Sequence, residues 1–583
     1  MAFLAEKMCK NIKENQPLLG ATDKDVLCVK LAGLLHDIGH GPYSHLYEAF
    51  RNNYLPKFLQ SHPELNREYN DCKHLQPKED WSHEQSSLLF MDSMLEELGL
   101  QIDLNNLDQP LLQIGDGIDA KSMRVFKPPG VQDAVLTSRD FVFIKECIVG
   151  KPLEGFASFV GRQEKKLEWM YDIVNNRHSG LDVDKIDYFA RDHSRTIGKR
   201  GIDMKLITDA RVAKGVGKNE EQYYMICYPD KHIATVMNFF KHRMMMHCTV
   251  YQHKTNTAVE TLICDLLCHA DPYFRLRSLE GEEFPISRAY LKSDFLLQLD
   301  DSILSLITHT THEKLAKARE LCNRYRRRQL YKCAVNKPLN IDRPIVDITG
   351  LKGKELERAR RYQKDRAVWI MNETEIHESM VDLMKHIFTS SNGKNSALAA
   401  TIDPNDFIVT KFNMHHGAGD NNPLMLVRFF DKMSGEKLVG RPEELPITKI
   451  ADESEYQSVI PSSFRSVGIR VLVRDESKKD AVNVLFNQWY ETGEQYPNNS
   501  VPIKSVTSLY VKDQLQIMDD DENDNEDKNS NEIGDDNSPQ KGKDFPAQLT
   551  QDFVDFNSDE EDEYNLQMSQ SPIPVRTRRL FNR

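Results

Sequence analysis

Ten cysteines are spread over 583 residues without a single CxxC pair, which excludes the paired spacing of a cysteine-rich zinc knuckle. Cys264 and Cys268 stand four apart in TLICDLLCHA, a helical spacing that suits a core face. No run of about 20 apolar residues is available to span a bilayer. The opening residues, MAFLAEKMCKNIKENQ, lack the apolar stretch and cleavage site of a leader. A reducing compartment is the resulting expectation, the nucleus and also the cytoplasm. An excess of positive charge is missing as well. The formal net charge of -13 excludes a uniformly basic nucleic-acid-binding surface but leaves room for local basic patches. No internal repeat occurs, so a solenoid is excluded.

What is present suits a globular protein, with 39% hydrophobic and 28% charged residues. The length calls for two or more structural units. Residues 1–310 read as mainly α. In ATDKDVLCVKLAGLLHDIGH, Thr22 can cap a helix whose first turn holds Asp25. Leu27, Leu31, Leu34, Leu35 and Ile38 recur at helical spacing, and Gly39 and Gly41-Pro42 end it. Further helices are expected from WSHEQSSLLF, over VNNRHSGLDVDKIDYFARD, and as one long helix over residues 231–270. Residues 312–332 and 353–372 read as a basic and a charged helix. From about residue 400, DFIVTKFNM, PLMLVRFFDK and VGIRVLVRDE alternate like strands. The expected organisation is a helical core over 1–310, a smaller mixed α/β lobe over 311–512, and an acidic tail with a basic end over 513–583. The tail composition predicts disorder.

The chemistry-bearing stretch is LAGLLHDIGHGPYSH, residues 31–45. An imidazole and a carboxylate at His36 and Asp37 suit Zn, Fe or Mn, and the carboxylate also suits Mg. A polar helix end is the plainer reading of this dipeptide. In LDVDKIDYFARD, Asp184, Asp187 and Tyr188 share one helix face, and Asp182 stands nearby. Carboxylates clustered on a face call for a cation or solvent, with Lys185 and Arg191 the local alternatives.

HDIGHGPYSH, WSHEQ, LDVDKIDYFARD and YQHK, in that order, resemble the SAM- and HD-domain dNTP triphosphohydrolases of the HD phosphohydrolase superfamily. The resemblance spans about residues 1–512. It implies a helical HD-domain core that hydrolyses dNTPs to deoxynucleoside and tripolyphosphate, a dGTPase-like reaction. His36, Asp37 and Asp184 resemble metal ligands. His40, His45 and His83 resemble pocket histidines at the phosphates, with His83 the general acid. Lys185, Tyr188, Asp192 and Arg243 resemble triphosphate and sugar contacts. Tyr251 resembles the wall under the deoxyribose, and Gln252 a base contact. Lys231, His253, Lys254, Arg328, Lys332 and Arg474 resemble positions that bind activating GTP and dNTP in a homo-tetramer. Roles in antiviral restriction and genome maintenance follow from the same likeness.

The chain also departs from that pattern. The resemblance implies a further histidine ligand on an earlier helix and a SAM domain before it, while MAFLAEKM resembles the segment just after that histidine. Reduced activity of the chain as written is therefore expected. Leu206, Pro229 and Thr235 differ from the basic and asparagine residues that the allosteric positions call for. In the tail, MSQSPIPVRTRRLFNR places Ser571-Pro572, a proline-directed phosphorylation pattern, shortly before Arg578, Arg579, Leu580 and Phe581, which resemble a cyclin-docking motif. Ser538-Pro539 is a second such pattern. A rival reading is a catalytically inactive HD scaffold that binds protein partners or single-stranded nucleic acid through basic residues such as Arg324 to Lys332.

Overall fold

Thr22 starts the helix that carries the site. Its hydroxyl accepts from the Asp25 N–H at 3.2 Å, and Asp25 Oδ2 accepts from the Thr22 N–H at 2.8 Å. Such a reciprocal cap contributes about 1 kcal/mol. The protein is described here by a computed structural model covering residues 1–72, 81–114, 134–198, 202–216, 222–278, 281–341, 351–390 and 401–492. The expected acidic tail, Ser571 and the Arg578, Arg579, Leu580 and Phe581 motif lie outside the described residues.

Helix α1 (Ala2–Asn15) packs on α2 (Asp23–Leu35) where Gly33 lets the backbones close; a Cβ there would stand 3.0 Å from the Ala5 Cβ. Then follow α3 (His45–Ala49), α4 (His83–Glu97), α5 (Ser138–Val149) and α6 (Val183–Thr196). Val29, Ala32, Phe143, Trp169, Ile186 and Phe189 fill the core between them. A hairpin of β1 (Arg211–Val216) and β2 (Gln222–Pro229) leads to α7 (Ile233–Met246), α8 (Lys254–Ala270) and α9 (Ala316–Arg326). A second core, with Leu266, Ile303 and Leu321, lies beneath α8 and α9.

The remaining elements are β3 (Lys332–Leu339), α10 (Gly353–Ile370), α11 (Glu373–Ser390), β4 (Phe407–His415), β5 (Arg428–Phe430), β6 (Arg465–Val473) and α12 (Lys479–Thr492). Strand β6 lies between β3 and β4, antiparallel to both. Ile469 and Val471 on β6 meet Met380 of α11 and Phe486 of α12 in a third core. Strand β5 instead pairs in parallel with β2, Cys227 opposite Arg428, and Phe429 enters the first core. The mainly α class with a small mixed region is thus what the chain adopts.

Several helix limits differ from the sequence expectation. Helix α2 stops at Leu35, and Leu34 and Ile38 are exposed, because residues 36–39 turn to present polar side chains. Residues 175–182 are not helical. Asn176 organises them as a loop, accepting from the His178 and Ser179 N–H groups and donating to the Leu181 carbonyl. The single helix expected over 231–270 is two, separated by a wide turn at His247–Tyr251 and an extended His253 whose Nδ1 accepts from the Thr255 N–H. The basic helix over 312–332 ends at Arg326, and Lys332 already belongs to a strand.

One buried ion network ties α2 to α5. Arg162 reaches Asp25 at 2.6 Å and Asp140 at 2.7 Å. Burial raises the Asp140 carboxyl, but the Thr137 N–H and Arg162 outweigh it and hold the group below its ordinary range. A carboxyl lowered in the folded state contributes stability above its unfolded pKa of about 3.9, and loses it as pH falls through the folded value. Arg162→Met is expected to cost about 3–5 kcal/mol in urea unfolding at neutral pH, because buried Asp25 loses its cation and buried Asp140 keeps only Lys24, at 3.0 Å. The difference from the parent should shrink as pH falls below about 4 and on through the lower folded value of Asp140.

Candidate active site

Three ligand-type side chains converge from two helices. The end of α2 and its following turn present His36 and Asp37, and the first turn of α6 presents Asp184. His36 Nε2 lies 3.2 Å from both Asp184 Oδ1 and Asp37 Oδ2. The N-terminus of α6 is set by Asp182, which is buried and accepts from the Lys185 N–H at 2.9 Å and from the Asn176 N–H at 3.2 Å. Burial opposes a charged His36, yet hydrogen bonds to Asp184 and Asp37 raise its imidazole to about 9. Burial likewise opposes a charged Asp37, and the His36 and His83 hydrogen bonds hold it well below the carboxylate range.

This donor set fits a divalent cation. One nitrogen and two carboxylate oxygens lie within 4.8 Å of one another. His36 Nδ1 is 3.1 Å from the Gly33 carbonyl, a contact that places a proton on Nδ1 and directs Nε2 at the carboxylates, where a cation would take the place of its proton. His36 is 14% exposed, Asp184 33% and Asp37 49%, so the cluster opens toward solvent on its Asp37 side. Imidazole with carboxylate suits Zn, Fe or Mn.

A second cluster abuts the first. His40 and His83 stack with ring centroids 3.8 Å apart, and His45 stands edge-on to both. Asp37 Oδ1 is 3.6 Å from His40 Nε2 and 3.5 Å from His83 Nε2. Close approach of the turn to α4 requires Gly39. A Cβ there would fall 2.2 Å from the Ser87 nitrogen and 2.4 Å from the His83 carbonyl oxygen. Ser87 Oγ donates to the His36 carbonyl and accepts from the Gly39 N–H, locking the turn to α4.

Glu48 was not singled out by sequence reasoning, yet it organises this cluster. Its Oε1 accepts from the His83 backbone N–H at 2.9 Å and meets His83 Nδ1 at 2.6 Å, while Oε2 is 3.3 Å from His45. Burial alone lowers His83, but Asp37 and Glu48 raise it to about 10. His40 moves the other way, to about 4, through burial and the neighbouring His83 charge. The pair therefore joins one charged and one neutral imidazole. The available signal was position: Glu48 lies three residues after His45 on the short helix α3.

The other candidate residues divide. Tyr188 and Tyr251 meet at 6.2 Å between ring centroids, and the Tyr251 hydroxyl donates to Asp192 at 2.9 Å. Lys185 pairs with Asp182 at 2.6 Å. Arg243 donates to the His415 carbonyl and Gln252 to the Asn413 carbonyl, both on β4. Of the candidate activator positions, Lys231 pairs with Asp209, Lys332 with Glu476, and Arg474 with Asp265. His253 and Lys254 start α8, and Arg328 follows α9 with φ +58°.

Residues 1–69 match the HD domain family model. The chain is 28% identical over 497 residues to the deoxynucleoside triphosphate triphosphohydrolase SAMHD1 of Homo sapiens, covering 84% of this chain and 64% of that protein. It is 27% identical to the Danio rerio protein of the same name, over 84% of this chain and 65% of that one. A SAMHD1 homolog of Dictyostelium discoideum is 23% identical over 87% of the chain. The chain thus spans just under two thirds of the length of the Homo sapiens and Danio rerio proteins. No helix among the described residues is long and apolar enough to cross a membrane. The matched segment carries His36 and Asp37, and over most of its length the chain is similar to the triphosphohydrolases named SAMHD1.

Proposed function

We propose that the chain is a metal-dependent dNTP triphosphohydrolase. The observation that carries this reading is the abutment of two clusters: a His36, Asp37 and Asp184 donor set and a stacked His40–His83 pair sharing Asp37. His36, Asp37 and Asp184 would hold a divalent cation, which would supply Lewis-acid stabilisation of charge on the α-phosphate.

The reaction adds a water oxygen to the α-phosphorus and breaks the bond from that phosphorus to the 5′-oxygen. Deoxynucleoside and intact tripolyphosphate leave. His83, charged and held by Glu48, delivers a proton to the departing 5′-oxygen. Neutral His40, stacked on it, donates or accepts a hydrogen bond at the phosphate. Lys185 and Arg243 neutralise triphosphate charge, Arg243 through its planar fork. Tyr251, fixed by Asp192, forms a wall against which a 2′-hydroxyl does not fit. Preference for dGTP, activation by GTP and dNTP through Lys231, His253, Lys254, Arg328, Lys332 and Arg474, and assembly as a homo-tetramer belong to the same proposal. Limitation of dNTP supply would then restrict reverse transcription and support genome maintenance from the nucleus.

Chromatography of dGTP incubated with the chain, GTP and Mg or Mn tests this. Deoxyguanosine and tripolyphosphate are expected in equal amounts. His36→Ala/Asp37→Ala should form neither. Equal product from that variant would overturn the reading, and product from neither protein would leave a binding scaffold as the function.

A further inference from the structure

Helix α10 carries a basic cleft away from the HD residues. The cleft encloses about 620 Å³ between α10, the end of β3 and the end of α12. Lys354, Arg358, Arg360, Arg361 and Lys364 bring five cations to it, against the two carboxylates of Glu357 and Glu491. Among the described residues only Lys364 of these five is ion-paired, to Glu491 at 3.7 Å. Lys354, Arg358, Arg360 and Arg361 stand exposed without a carboxylate partner among those residues, in a chain whose net charge is -13.

The base of the cleft is fixed. Buried Asp365 accepts from the Tyr490 hydroxyl and from the Asn340 N–H, so one carboxylate fastens α10 to both β3 and α12. The Tyr490 ring, itself buried, carries the Lys364 ammonium 4.4 Å and the Lys337 ammonium 4.5 Å from its centroid. Cations placed over a ring in this way are held in position by it. Lys354, Arg358 and Arg361 follow one another at i, i+4 and i+7, one helix face, and rise roughly 10 Å along it.

We infer that this cleft binds a compact polyphosphate anion. A row of cations rising about 10 Å matches the length of a few linked phosphates, and the guanidinium forks of Arg358 and Arg361 suit bidentate phosphate contacts. The lining holds two aromatic rings, half-buried Tyr362 and Tyr490, which is buried near its base, and no aliphatic side chain, so recognition rests chiefly on the cations and not on an acyl chain. Inorganic tripolyphosphate and the triphosphate of a free nucleotide share this chemistry. The inference stands on residues separate from the proposed hydrolytic site.

Titration calorimetry of the full chain with inorganic tripolyphosphate tests it, repeated with ATP and with a single-stranded oligothymidylate. The wild type should bind tripolyphosphate at this cleft in addition to any binding at the HD cluster. Arg358→Ala/Arg361→Ala should weaken that component roughly 10- to 100-fold. Lys354→Glu, at an exposed position, should weaken it in the same direction. Arg358→Lys/Arg361→Lys should keep most of it, and dGTP hydrolysis should be unchanged in all three. ATP binding as tightly as tripolyphosphate would assign the source to free nucleotides, and weaker ATP binding to the inorganic anion. Undiminished tripolyphosphate binding in either folded charge-loss variant overturns the inference, as does oligothymidylate binding there without tripolyphosphate. Loss of hydrolysis in His36→Ala/Asp37→Ala leaves this component untouched, so the two proposals fail separately.

Discussion

Asp184→Asn lowers dGTP hydrolysis by roughly 10³-fold in the proposed account, with the fold intact. The amide keeps the shape of the carboxylate but removes its charge, leaving His36 and Asp37 as the only charged or basic donors of the cluster. A cation supplies several kcal/mol of charge stabilisation at a phosphoryl oxygen, and about 4 kcal/mol corresponds to three decades of rate. Asp184 is one-third exposed and occupies the first turn of α6, not the core. Urea unfolding of the variant should therefore follow the parent closely. Metal content by mass spectrometry should fall together with rate. Retention of both metal and rate would remove Asp184 from the site.

His83→Gln is expected to lower kcat by about 10²–10⁴-fold, the range for loss of a positioned general acid. Glu48 acts on the reaction chiefly through His83, with a longer contact to His45, so it is a positioning residue with a different signature. Its Oε1 meets both His83 Nδ1 and the His83 backbone N–H. Glu48→Ala should lower kcat roughly 10- to 100-fold, as for lost groups that orient a ligand or catalyst, with little change in KM. Glu48→Asp should restore part of the loss. In the His83→Gln background Glu48→Ala should add almost nothing, because residues acting as a unit are not additive. Additive effects would show that Glu48 serves some other group.

The comparison of sequence with structure divides along the range of the interactions. The Thr22–Asp25 cap spans three residues and could be read directly. His36 and Asp37 were legible as a dipeptide, and Asp184 through its clustered carboxylates. Glu48 was not legible, because its role comes from His83, 35 residues later, across the Gly39 turn. The break at residues 247–253 was hidden by Met244, Met245 and Met246, which continue the apolar helical pattern up to it. Pairing of β5 with β2 joins segments about two hundred residues apart, and nothing in VRFF announces the partner. Asn176 and Asp182 shape the loop before α6 by side-chain hydrogen bonds that compete with helix, so the helical spacing of residues 175–182 overreached.

The most direct measurement is ³¹P NMR of dGTP turned over by the chain in H₂¹⁸O. The account predicts tripolyphosphate with one ¹⁸O on a terminal phosphate and unlabelled deoxyguanosine. Release of pyrophosphate or phosphate, or ¹⁸O in the nucleoside, would contradict attack at the α-phosphorus and with it the roles given to His36, Asp37, Asp184 and His83.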